Sequence, residues 1–175
     1  MLDVSVSYNR YKFLGHEFLT WLWFLMEKDR SFLQTEVPEL TSLEVGNRIV
    51  LENRFNEGVE IITIKGDDAG LEEGMLSLRK GAVVTEFHLL YTAGDHQWQF
   101  ILKGESLNIS NLKVPKTGEV ESGQELEGAV LEKVYLFEKV IELINNLYKS
   151  FIKLRISSEW KEKIVPEIRK WIYAS

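Results

Sequence analysis

Residues 82–104, "AVVTEFHLLYTAGDHQWQFILKG", hold two apolar runs of strand length separated by the short loop "TAGD". In the first run Val83, Thr85, Phe87, Leu89 and Tyr91 alternate with Val84, Glu86, His88 and Leu90. In the second, Trp98, Phe100 and Leu102 make one apolar face. A period of two with β-branched and aromatic residues predicts a hairpin with one buried face. Upstream, "TSLEVGNRIVLENRF" alternates around Gly46-Asn47, a pair suited to a two-residue hairpin turn, and "VEIITIK" (residues 59–65) is a further strand. Downstream, "SLNISNLKV" adds a candidate edge strand.

Helical patterns flank these strands. From Gly15 to Asp29 apolar residues fall on every azimuth, with Phe18, Trp21, Leu22 and Leu25 on one face and Leu19, Trp23, Phe24 and Met26 on others. A helix apolar all round is buried on several sides or sits in an interface. No Lys or Arg lies between Phe13 and Met26, which argues against a nucleic-acid stacking platform. "SFLQTEVPEL" is a polar connection punctuated by Pro38. "GDDAGLEEGMLSLRKG" is a short helix, with Asp67, Asp68, Glu72 and Glu73 near its start and Arg79, Lys80 and Gly81 at its end. "PKTGEVESGQE" is a flexible linker.

A long helix follows, over about Leu126–Leu154, with two apolar seams. One runs through Val130, Val134, Phe137, Ile141, Ile144, Tyr148 and Phe151, the other through Leu136, Val140, Leu143 and Leu147. At 1.5 Å per residue it spans about 42 Å, more than one small sheet needs, so part of it is expected on another helix or subunit. A last helix is capped by Ser158 and kinked at Pro166. The expected architecture is α+β: an antiparallel sheet of about five or six strands covered by helices, with a long C-terminal helix followed by a shorter one. Residues 1–116 form the sheet domain, 117–125 the linker, and 126–175 a helical segment packing on that domain or on a second subunit.

The 175 residues suffice for one domain with a real core. Without cysteine there is no disulfide, thiolate nucleophile or zinc-thiolate site. The start "MLDVSVSYNRYKF" lacks a signal-peptide pattern and no apolar run reaches membrane-span length, so a cytoplasmic protein is expected. The three histidines, His16, His88 and His96, fit no metal-ligand spacing, and no nucleophile elbow, phosphate loop or dinucleotide fingerprint occurs. Neither an enzyme, a cofactor nor a metal site is expected.

The formal charge is −6, unevenly spread. Residues 149–175 carry seven basic side chains (Lys149, Lys153, Arg155, Lys161, Lys163, Arg169, Lys170) against Glu159, Glu162 and Glu167, a net of +4 that leaves −10 on the rest. Such a tail is a solvated face or a patch for an anionic partner. On the body, Lys65, Arg79, Lys80, Lys103, Lys113 and Lys116 are the cations available for phosphate contact. No base-reading module is present, so such a surface grips backbone only.

In order, "FLGHEFLTWLWF", "LRKGAVVTEFHLLY", "WQFILKGESLNISNLKVP" and "LEGAVLEKVYLFEKVIELINNLYKSFI" resemble the later part of the recombination-associated protein RdgC family, over roughly Tyr11–Trp171. The resemblance implies a non-enzymatic, nucleoid-associated protein that binds double-stranded DNA without sequence preference and restrains RecA-promoted strand exchange. Relatives are similar in forming ring-shaped dimers with a basic inner surface, so a homodimer is implied here. Longer relatives carry an additional N-terminal portion, whereas here the helix with Trp21 and Trp23 comes almost at once. Carried over, Lys65 falls in the matching strand-to-helix turn, with Arg79 and Lys80 next. The full candidate DNA-binding set is Lys65, Arg79, Lys80, Lys103, Lys113, Lys149, Lys153 and Arg155. The alternative is an interaction or oligomerisation module that kept the fold without DNA enclosure.

Overall fold

The computed structural model describes residues 4–55, 58–66, 69–116 and 123–174, with side chains described from Tyr11 onward except near 69–71 and 123–125. Asp67, Asp68 and most of the expected linker (117–122) lie outside the described residues. The elements in chain order are α1 (Val4–Lys28), α2 (Arg30–Glu36), β1 (Ser42–Phe55), β2 (Gly58–Lys65), α3 (Ala69–Arg79), β3 (Val83–Ala93), β4 (His96–Lys103), β5 (Asn108–Lys113), α4 (Gly123–Arg155) and α5 (Val165–Ala174). The five strands form one antiparallel sheet in the order β2-β1-β3-β4-β5. The α+β architecture, with its long helix followed by a shorter one, is as the sequence implies.

Buried side chains from β1 (Leu43, Ile49, Leu51), β3 (Val84, Phe87, Leu89, Tyr91) and β4 (Trp98, Phe100, Leu102) join those of α1 in one apolar core, which also takes in α4 and α5. Trp21 and Trp23 are both fully buried. Two residues apart on a helix they diverge by about 200°. Trp21 therefore meets Phe151 of α4 at 5.6 Å and Phe32 of α2 at 5.7 Å. Trp23 meets Phe87 of β3 at 5.7 Å and Trp171 of α5 at 5.6 Å. So α1 is a middle layer between the sheet and α4.

Several local expectations are corrected. Helix α1 starts at Val4, well before Gly15. The "SFLQTEVPEL" segment holds α2 rather than a plain connection: the Asp29 carboxylate accepts from the Phe32 N–H at 3.1 Å, and Leu33 is buried. Gly46-Asn47 is no hairpin turn. β1 runs straight through it, and Gly46, Asn47 and Arg48 together oppose the single residue His88, an irregularity between the Val45–Leu89 and Ile49–Phe87 pairs. A second irregularity at Thr85, between the Val50–Glu86 and Leu51–Val84 pairs, goes with a fully buried Val84, so the strict alternation of β3 breaks there.

The β3–β4 turn is tighter than "TAGD". Ala93 pairs with His96, leaving Gly94-Asp95 as the loop, and Gly94 has the positive φ (56°) that such a turn requires at its first position. Gly81 ends α3 as expected, at φ 92°, with Ala82 N–H bonded to Ser77 O and Gly81 N–H to Leu78 O. Helix α4 begins at Gly123, three residues before Leu126. Its Leu136 seam is buried, whereas Val130, Val134, Phe137 and Ile141 of the other seam are exposed. Ser158 is already helical rather than a cap. Ahead of Pro166 the helix widens into a π-turn over Trp160–Ile164, where a ring without an N–H would otherwise crowd the preceding carbonyls.

Helix α1 approaches the β4–β5 connection backbone to backbone. A Cβ on Gly15 would stand 1.7 Å from the Gly104 carbonyl oxygen. In an open helix Gly→Ala stabilises by about 1 kcal/mol. Here Gly15→Ala is expected to destabilise by about 1–3 kcal/mol, because backbone must move to admit the methyl. Chemical denaturation checks this, and a stabilised variant would contradict the close packing.

Candidate nucleic-acid interface

The face of the sheet turned away from α1 carries polar side chains in register. Arg48 pairs with Lys65, Val50 with Thr63 and Glu86, and Glu86 with Lys103. His88 pairs with Ile101, and Leu90 with Gln99, which pairs with Lys113 on the edge strand. Lys65, Lys103 and Lys113, far apart in sequence, therefore share one face, and all three are exposed. A fourth cation, Arg48, stands among them, with its Nη2 3.2 Å from a Glu86 carboxylate oxygen. Sequence reasoning missed Arg48 because it treated Gly46-Asn47 as a turn.

The irregularity in β1 is held by backbone hydrogen bonds. Asn47 N–H donates to His88 Nδ1 at 3.2 Å, and Gly66 N–H donates to Asn47 O at 3.2 Å. Gly46 makes room for this: a Cβ there would be 2.2 Å from His88 Nδ1. An imidazole that accepts at Nδ1 is neutral. Burial, then the charge of Lys113, hold the His88 pKa below its ordinary value.

The remaining candidates divide differently. Arg79 donates from Nε to the carbonyl of Ile172 at 2.8 Å, tying α3 to the end of α5. Lys80 beside it is exposed. Arg155 donates from Nε to Glu17 at 2.6 Å and lies over the Trp160 ring at 5.7 Å, so it joins α4 to α1 and to the π-turn. Lys149 and Lys153 are exposed one turn apart on α4, in the helical layer rather than on the sheet face. Two arginines of the candidate set thus serve internal contacts, and the lysines fall in three places: Lys65, Lys103 and Lys113 on the sheet, Lys149 and Lys153 on α4, and Lys80 at the end of α3.

A cleft of about 390 Å³ lies between the β3–β4 hairpin and α4, lined by Tyr91, His96, Trp98, Glu39, Tyr135 and Lys139 among others. Tyr91 stacks on Trp98 at 4.7 Å, and its phenol is pushed up to about 12, by burial first and the Glu39 charge second. Trp98 Nε1 donates to Leu136 O at 3.0 Å, which fixes α4 on the hairpin. Among the described residues no three His, Asp or Glu side chains gather as a metal site, and no helix is long and apolar enough to cross a membrane.

No family model matches the chain, and no curated protein matches it. The likeness to the RdgC family rests on the order of its sequence pieces alone.

His88 and His16 are both held neutral, His16 also chiefly by burial. Their lowered pKa values mean the unfolded chain binds more protons below about pH 6.5. The stability they contribute is complete above that pH and is lost as pH falls through the folded-state values. The thermal midpoint is therefore expected to drop between pH 7 and pH 5, and His88→Gln to make the profile shallower. Parallel profiles for variant and wild type would count against the Asn47–His88 bond.

Proposed function

We propose that this protein binds double-stranded DNA through the phosphate backbone and thereby restrains RecA-dependent recombination, as its resemblance to the RdgC family implies. The observation that carries the reading is the grouping of Lys65, Lys103 and Lys113 on one exposed sheet face. An antiparallel face with spaced cations, and no protruding recognition helix among the described residues, suits backbone contact rather than base reading. The net −10 of residues 1–148 confines binding on the sheet to that stripe. Coating duplex DNA in this way denies it to RecA.

If three phosphates are contacted, a fourfold rise in salt weakens binding about 40-fold, from a slope of about −0.9 per contact. Fluorescence anisotropy with duplex DNA across a salt series measures this, and Lys65→Glu is expected to lower both affinity and slope. Wild-type protein that ignores duplex DNA even at low salt defeats the reading.

A second reading, a self-association or interaction module, is favoured by the exposed seam of α4. Val130 (52% exposed), Val134 (48%), Phe137 (43%) and Ile141 (52%) continue at spacings of four and three. In a parallel pair of helices built on that seam, Lys133 of one copy faces Glu138 of the other. Sedimentation should show wild type as a dimer and the Phe137→Glu/Ile141→Glu variant as a monomer. A monomeric wild type excludes the seam as a self-association surface.

A further inference from the structure

We propose that Arg48 is a further DNA-contact residue, and that the irregularity locked by His88 and Gly46 exists to stand it beside Lys65 as a two-pronged grip on one backbone phosphate. This rests on the DNA-binding reading and adds to it a residue and a positioning device.

Three observations carry it. First, Arg48 and Lys65 are direct cross-strand partners. Like charges placed opposite one another on adjacent strands destabilise a sheet; Glu86 offsets the Arg48 charge, and a phosphate between the two cations would offset both. Second, the guanidinium is held by one side only. Its Nη2 rests on Glu86 and its Nε is buried without a partner among the described residues, while the side chain as a whole stays 41% exposed. Glu86 orients the fork and leaves the outer edge for a second acceptor, and a planar fork of this kind suits a phosphate.

Third, the backbone on either side of the pair is fixed by a relay. His88 Nδ1 accepts from Asn47 N–H, and Asn47 O accepts from Gly66 N–H. Arg48 directly follows Asn47 and Lys65 directly precedes Gly66, so both hydrogen bonds of one peptide segment set the two cations together. Gly66, at φ 116°, takes a left-handed conformation that non-glycine residues rarely adopt. Gly46 is needed because any side chain would strike the His88 ring. A regular strand would serve the sheet equally well and would place no extra residues there.

The test is anisotropy with a duplex of arbitrary sequence over a salt series, comparing wild type, Arg48→Gln, Lys65→Gln, Gly46→Ala and the remote control Lys28→Gln. Arg48→Gln is expected to reduce the salt slope by about 0.9, as Lys65→Gln does. The double variant should lose no more slope than either single one, since both cations share a phosphate. Gly46→Ala should weaken binding while keeping the wild-type circular dichroism, and Lys28→Gln should match wild type. Without DNA, Lys65→Gln should raise the thermal midpoint by about 1–2 °C, because it relieves the repulsion, whereas loss of a structural residue would lower it. If wild type binds and Arg48→Gln keeps its full slope, this inference fails and the wider reading stands. If wild type does not bind at low salt, both fail.

Discussion

The insertion of α1 between the sheet and α4 is the constraint on which the rest of the molecule depends. A helix in a middle layer has no solvent face along much of its length, so Phe18, Leu19, Trp21, Leu22 and Trp23 are all fully buried. Burying two indoles on opposite sides of one helix couples the layers on either side of it, which also meet directly where Trp98 Nε1 donates to Leu136 O. Trp21 joins α1 to α2 and α4, and Trp23 joins it to β3 and α5. The indole N–H groups of both lack partners among the described residues, at a cost of about 1–3 kcal/mol each. A fully buried aromatic side chain removes about 150–250 Å² from water, which at about 25 cal/mol per Å² outweighs that cost.

This layering leaves one face of the sheet unclaimed by helices among the described residues, and it is there that the chain departs from regular pairing. The irregularity at Gly46–Arg48 and the one at Thr85 lie on adjacent strands. Thr85 Oγ1 donates to Val50 O at 3.2 Å and Thr85 O accepts from Gly104 N–H at 2.9 Å, so the second irregularity also shapes the approach of α1 to Gly104. One distortion thus bears on the docking of α1 and the other on the direction of Arg48 on the far face. Core packing and the proposed DNA contact are two consequences of one sheet geometry.

Where the sequence could be read and where it could not follows from the range of the forces involved. The hairpin of β3 and β4 and the burial of α1 were legible, because hydrophobic periodicity is local and strong. The break in β3 at Thr85 was not, because its cause is a neighbouring strand that contributes one residue fewer. Gly46-Asn47 has the composition of a turn, yet its glycine is there for the His88 ring some forty residues away. Helix α2 was hidden because seven residues carry little periodicity and its stability comes from the Asp29 cap and from Phe32 against Trp21. Charge alone did not tell Arg79 and Arg155, held by internal partners, from Lys65, Lys103 and Lys113 on an open face.

By itself, then, the sequence determined the α+β class, the helix that must be buried all round, the two seams of the long helix and the lack of any local catalytic signature. These follow from side-chain transfer free energy and backbone propensity, which act over a few residues. Only the tertiary structure decided which seam of α4 faces the core, which arginines are spent on internal contacts, and that Arg48 stands opposite Lys65. Those outcomes depend on strand register and on atoms meeting across long stretches of chain, and register is set by the whole sheet packing at once.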